Sequence, residues 1–229
     1  MRKFIPNLLT ISNLICGCIA LHMAFNGQLL EAAYLIALSG LFDFFDGAAA
    51  RWLSVSSEIG KQLDSLADLI SFGLVPGALV FHLLENSTQN KFSFIALLIP
   101  ICSAYRLAKF NIDDRQENNF IGLPTPANSL FFGSFPLIIH FQSETIIASI
   151  VQMPEIILFF TLVLSWSLVS KLTLFSFKFE NTRYSENTLR FNFLALALIL
   201  LIGIGFSAVP LLVLSYLATS VLFFNHDSK

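Results

Sequence analysis

Asp43-Phe-Phe-Asp46-Gly47-Ala-Ala-Ala50-Arg51, followed after eight residues by Gly60-Lys-Gln-Leu-Asp64-Ser-Leu-Ala-Asp68, sets four carboxylates inside apolar sequence. An ionisable side chain at the centre of a bilayer costs on the order of 3 kcal/mol on insertion scales. Four such groups close together need a partner of opposite charge, and a bound metal is the simplest one. At about 100° per residue, Asp43, Asp46, Gly47 and Ala50 share one narrow helical face, and Gly60, Asp64, Asp68 and Ser71 share a face on the next helix. Two helices can therefore turn their carboxylates toward each other. The small residues on these faces permit close backbone approach, and Gly47 and Gly60 leave room for a ligand against the main chain. Carboxylate oxygens are hard donors suited to Mg²⁺ or Mn²⁺, and magnesium usually completes its shell with substrate phosphate. A single buried Asp would equally suit a structural hydrogen bond or an ion path. Four at spacings of three, eighteen and four, with both glycines and Arg51, favour a site.

The pattern D-x-x-D-G-x-x-A-R-x(8)-G-x-x-x-D-x-x-x-D is matched at every fixed position by Asp43, Asp46, Gly47, Ala50, Arg51, Gly60, Asp64 and Asp68. It resembles the signature of the CDP-alcohol phosphotransferases, integral membrane enzymes of phospholipid headgroup synthesis. The resemblance implies transfer of a phosphate-bearing group from a CDP-linked donor to an alcohol, with CMP leaving. It implies two divalent cations, Mg²⁺ or Mn²⁺, with Asp43, Asp46 and Asp64 as ligands and Asp43 and Asp64 shared. Asp68 is implied as a ligand of the second ion and as general base, and Gly47, Arg51 and Ser57 as donor contacts. A carboxylate one turn from a metal ligand is well placed to take the alcohol proton, and no activated Cys or Ser nucleophile stands out.

The composition agrees with a membrane setting. Of 229 residues, 55% are hydrophobic and 12% charged, about half the roughly 25% charge of soluble proteins, and the mean hydropathy is +0.75. A net charge of -2 gives no support for a nucleic-acid partner. Apolar windows fall at about 8–25, 30–50, 63–84, 92–108, 126–141, 146–169, 193–206 and 209–224. The expected fold is an all-α polytopic membrane bundle of about eight transmembrane helices. The basic amino terminus with its apolar run is expected to be a retained first span rather than a cleaved signal. The last two windows are short for spans unless they extend into their flanks. Gly203, Gly205 and Pro210 favour a turn between them. One membrane domain over 1–229 is expected, with a catalytic core over about 1–170 and a C-terminal helix pair over about 190–225.

With the amino terminus in the cytosol, Arg2, Lys3, Arg51, Lys61, Arg106, Lys109, Arg115, Lys171, Lys178, Arg183, Arg190 and Lys229 fall on the cytosolic side, and only Lys91 falls outside. Counted from Arg51 and Lys61, the carboxylates then lie roughly 5 to 12 Å below the cytosolic helix ends. The expected location is the cell (inner) membrane, multi-pass, with the site near the cytoplasmic face.

Other polar residues have two readings. Arg106 and Lys109 either snorkel to headgroups or clamp an anionic acceptor or the nucleotide phosphates. Asn7, Thr10 and Asn13 either hydrogen-bond the nucleotide or cap the first helix. Cys16, Cys18 and Cys102 read as packing residues, and His22, His82, His140 and His226 show no ligand pairing. The 25 Phe residues read as lipid-facing bulk. The Gly122-Leu-Pro124-Thr-Pro126 run reads as a rigid loop leading into a helix.

The stretches Ile5 to Gly17, Ser56 to Gly73, Tyr105 to Asn111 and Phe120 to Ala127 are similar to the membrane-integral phosphatidylserine synthases of bacteria and archaea. They cover about the first 130 residues. The implied partners are CDP-diacylglycerol, L-serine and membrane lipids, and a homodimer is expected. Phosphatidylglycerophosphate synthase is the alternative within the class, although its phosphorylated acceptor calls for more clustered basic residues. An ion or proton transporter is the alternative outside it, and predicts polar residues continuing across the membrane.

Overall fold

The computed structural model describes residues 4–55, 57–87, 90–112, 120–174 and 187–224. Within these, helix α1 spans Phe4–Phe25, α2 Leu29–Leu53, α3 Glu58–Asp68 and α4 Val75–Glu85. A π-helical segment, Leu69–Leu74, joins α3 to α4 without a break. A 3₁₀ segment, Asn90–Leu97, leads into α5 (Leu98–Ile112). Then follow β1 (Phe120–Ile121), α6 (Thr125–Phe141), α7 (Ile146–Val151), α8 (Pro154–Val169), β2 (Thr173–Leu174), α9 (Thr188–Ile204) and α10 (Ala208–Phe224).

Helices cover all eight apolar windows. The window over 146–169 is divided between α7 and α8, where Met153 is extended and Pro154 starts the second helix. Among the described residues, four stretches, Phe4–Phe25, Glu58–Glu85, Asn90–Ile112 and Arg190–Leu222, are long and apolar enough to cross a membrane. The last is redirected at Gly205, whose φ of 57° and ψ of -135° suit only glycine, so the expected turn falls there. Gln142 holds this turn. Its amide donates to Ile204 O at 2.7 Å, and its carbonyl oxygen accepts from Ser207 N at 2.9 Å.

The core gives a physical correction. Phe72, Phe131, Phe132 and Phe135 are at most 1% exposed, so these phenylalanines are interior packing rather than lipid-facing bulk. Phe131 has ring neighbours at 5.1 Å (Phe132), 5.2 Å (Phe135) and 5.0 Å (Phe160). Edge and tilted pairs of this kind add about 0.5–1.5 kcal/mol each beyond burial. All three cysteines are free; Cys16 is buried and Cys102 partly buried, in keeping with packing roles, whereas Cys18 is exposed and not buried by packing within the bundle.

The ends of the helices sort into two sets. Lys61 at the start of α3 donates to Asn111 O near the end of α5 at 2.8 Å. β1 pairs antiparallel with β2, bringing the approach to α6 beside the chain that leaves α8. Arg51, Lys61, Arg106, Lys109 and Lys171 therefore gather toward one end, and Lys91 follows α4 at the other. Arg2, Lys3, Arg115, Lys178, Arg183, His226 and Lys229 lie outside the described residues.

The Gly122 loop is rigid for a stated reason. Gly122 has φ of 79°, and a Cβ there would stand 2.5 Å from Leu168 O. Its N–H donates to Leu172 O at 2.9 Å, and Leu123 N–H donates to Ser167 O at 3.0 Å. Gly122→Ala is expected to cost at least about 2 kcal/mol, a fall of roughly 4–8 °C in Tm. Thermal unfolding in detergent checks this, and an unchanged Tm would contradict the close approach.

Candidate active site

The hairpin between α2 and α3 aligns the two acidic faces. Ser54, in the left-handed region at φ 51°, ends α2. Ser57 caps α3, its hydroxyl accepting from Gly60 N at 3.0 Å. Across this hairpin Asp43, Asp64 and Asp68 each offer a carboxylate oxygen within 4.8 Å of the others. At an effective dielectric of about 20, each such pair of charges repels by at least about 3 kcal/mol. Asp46 and Asp68 are buried, and their partners are neutral groups of α1. Thr10 donates to Asp46 Oδ2 at 2.6 Å, and the Asn13 amide donates to Asp68 Oδ1 at 3.3 Å. Asp64 Oδ1 is buried with no hydrogen-bond partner.

This donor set fits a hard divalent cation. Three oxygens already converge, one buried oxygen is unsatisfied, and among the described residues no cationic side chain bonds the cluster to balance its charge. Asp46 lies outside the tight trio but close enough to act electrostatically on Asp43 and Asp64. Counted from the helix ends at Leu53 and Glu58, Asp43 and Asp68 lie roughly 15 Å in, at about 1.5 Å per residue. That is deeper than the count from Arg51 and Lys61 gives, because both helices run past those basic residues.

A cavity of about 310 Å³ opens beside the carboxylates. Asn7, Thr10, Asp46, Gly47, Ser57, Gly60 and Asp64 line it, with Pro6, Ala50, Val55 and Lys61. At Gly60 a Cβ would stand 2.9 Å from Ser57 Oγ and 3.1 Å from Asn7 Oδ1, so a larger residue would displace both. Arg51 is exposed, and its Nη1 stands 3.5 Å from where a Gly47 Cβ would be.

Some expected roles change. α1 begins at Phe4, so Asn7, Thr10 and Asn13 are helix-interior residues and not caps. The Thr10 and Asn13 donors go to carboxylates, and Asn13 is not among the cavity's lining residues. Arg106 is 7% exposed, which excludes a snorkelling role for it, whereas Lys109 is half-buried. Arg106 instead lies within electrostatic reach of Asp68 and of Tyr216 on α10. The start of α6 was marked in the sequence only as a rigid loop leading into a helix, and nothing in the sequence singled out Tyr216. The π segment directly after Asp68 is likewise invisible to helical periodicity, and such segments recur at functional sites.

Comparison with known proteins places the chain in a family. The family model described as CDP-alcohol phosphatidyltransferase matches residues 3–166. The CDP-diacylglycerol--serine O-phosphatidyltransferase of Bacillus subtilis is 38% identical over 149 residues, 65% of this chain and 81% of that protein. The protein of that name from Methanocaldococcus jannaschii is 36% identical over 143 residues, 61% of this chain and 65% of its own length. The archaetidylserine synthase of Methanothermobacter thermautotrophicus is 34% identical over 139 residues, 58% of this chain and 58% of its own length. With the model match extending over more than half of its residues, and the acidic hairpin lying inside that match, the chain belongs to the CDP-alcohol phosphatidyltransferase family.

Proposed function

We propose that this chain transfers the phosphatidyl group of CDP-diacylglycerol to the hydroxyl of L-serine, giving phosphatidylserine and CMP. The observation that carries the reading is the Asp43, Asp64 and Asp68 cluster beside a polar cavity at one end of an apolar bundle. The names of the relatives direct it to serine. The setting is one membrane domain over 1–229, multi-pass in the cell inner membrane, with its core over about 1–170 and its helix pair over about 190–225. The amino terminus and the site face the cytoplasm, and the enzyme works as a homodimer in membrane lipid.

Asp43, Asp46, Asp64 and Asp68 would hold two divalent cations, Mg²⁺ or Mn²⁺. When bound, such ions neutralise the diphosphate and the charge developing on the leaving oxygen. Gly47, Ser57, Asn7 and Thr10 form the wall of the nucleotide cavity, and Arg51 meets the donor phosphates at its rim. Asn13 orients Asp68 by holding one of its oxygens, leaving the other to take the proton of the serine hydroxyl. The serine oxygen attacks the phosphorus carrying diacylglycerol, and the bond from that phosphorus to the CMP oxygen breaks. Arg106 and Lys109 supply positive charge on the acceptor side.

Thr10 keeps Asp46 in place, so Thr10→Val is expected to lower activity or metal affinity by about 10- to 100-fold, the range for groups that orient ligands. Thr10→Ser should restore most of it. Mn²⁺ titration together with KM for CDP-diacylglycerol checks both.

The experiment for the reaction is CMP release by purified protein in detergent, with CDP-diacylglycerol and Mn²⁺ or Mg²⁺ and each of L-serine, glycerol-3-phosphate and inositol phosphate. Serine-dependent release supports the reading. Release only with a phosphorylated acceptor would keep the mechanism and replace the substrate. No metal-dependent release with any alcohol would favour the ion-transporter alternative.

A further inference from the structure

Several buried hydroxyls in these helices bond a carbonyl one turn back. Thr161 donates to Ile157 O at 2.7 Å, Ser167 to Val163 O at 2.8 Å, and Ser134 to Phe131 O at 2.7 Å. Others have no partner: Ser103, Ser165 and Ser220 singly in α5, α8 and α10, and a group of polar residues together at the start of α6. Thr125, Asn128 and Ser129 are 0% exposed, yet Thr125 Oγ1, Ser129 Oγ and both amide atoms of Asn128 have no hydrogen-bond partner. Arg106, 7% exposed on α5, has its Nε in the same condition. A buried polar group without a partner costs about 1–3 kcal/mol, and more when charged. Several such groups on two helices that pack against the segment following Asp68 call for an explanation.

Their placement supplies it. α5 and α6 both pack against the π segment that starts one residue after Asp68. Arg106 feels the charge of Asp68 from that side, while Asn13 bonds Asp68 from the α1 side. Asp68 thus stands between Asn13 of α1 and Arg106 of α5, and α6 packs against the segment that follows it. Tyr216, on a helix beyond the family match, adds a wall beside Arg106, and its helix packs along α6.

We infer that Arg106, Thr125, Asn128 and Ser129 form the subsite for the amino-acid end of the acceptor, on the opposite side of Asp68 from the nucleotide. The Arg106 guanidinium and the Asn128 NH₂ donate to the α-carboxylate. Asn128 Oδ1 and the hydroxyls of Thr125 and Ser129 accept from the α-ammonium. One buried cation together with neutral acceptors suits a small zwitterion, whereas a phosphate dianion would leave the acceptors facing like charge. The inference rests on the serine reading proposed above.

The test is steady-state CMP release with L-serine varied, alongside thermal unfolding, for the wild type, Asn128→Leu and Thr125→Val. Loss of a hydrogen bond to a charged substrate group corresponds to about 10- to 100-fold in binding. KM for L-serine should therefore rise about that much in Asn128→Leu and about tenfold in Thr125→Val, while KM for CDP-diacylglycerol changes less than twofold. Tm of the variants should equal or exceed that of the wild type, because an unsatisfied buried group has been removed. Thr125→Val conserves volume, so it carries the test if Asn128→Leu does not fold. An unchanged KM for L-serine in the folded variants would overturn the subsite, as would a parallel rise in KM for CDP-diacylglycerol. A wild type that ignores serine would overturn the proposed reaction and this subsite with it; a serine-active wild type with unaffected variants would overturn the subsite alone.

Discussion

Asp68→Asn should lower serine-dependent CMP release by about 10²- to 10⁴-fold, the contribution of a positioned general base. The substitution keeps shape and leaves an oxygen for the Asn13 amide, which lies 3.3 Å from Asp68 Oδ1 in the native site. It removes the basic oxygen and one negative charge of the trio. These two losses separate experimentally. If Asp68 acts mainly as a ligand, raising Mn²⁺ restores the rate; if it takes the proton, the rate stays low at saturating metal. Retention of more than about a tenth of wild-type kcat would exclude Asp68 as the base.

Asp64→Asn has the second largest expected effect, and its stability signature runs opposite to its activity. Asp64 lies within 4.8 Å of two other carboxylates and carries a buried oxygen with no partner. Neutralising it relieves repulsion, so in EDTA the variant should unfold at a higher temperature than the wild type. Added Mn²⁺ should then stabilise the wild type by about 2.7 kcal/mol at a hundred times its Kd. The variant should gain much less at the same concentration, and its CMP release should fall at least about 100-fold. Equal metal-induced shifts in Tm for the two proteins would show that Asp64 is not a ligand.

The acidic hairpin was legible because its geometry is local. Residues three and four apart on a helix share a face, so Asp43 with Asp46, and Asp64 with Asp68, are paired by the chain's own periodicity. The eight apolar windows were legible for the same reason, as was the turn at Gly205. The phenylalanines were not. Phe131, Phe132 and Phe135 lie in an apolar run like any lipid-facing one, and only the neighbours packed around α6 distinguish interior from exterior. In a membrane both environments are apolar, so composition alone cannot separate them.

Arg106 is the sharpest case. From its position near a helix end, snorkelling was the favoured reading over anion binding; its burial beside Asp68 and Tyr216 excludes it. Thr10 and Asn13 likewise gained specific partners only across 36 and 55 residues of chain.

For this chain, then, the acidic faces follow from spacing along single helices, where covalent geometry dictates which side chains align, and the reaction class is implied by the family resemblance of that signature. Which side of Asp68 meets the nucleotide and which meets the buried groups of α5 and α6 depends on contacts between helices distant in sequence. Those contacts arise from packing of small and aromatic residues around the π segment, and no local periodicity encodes them.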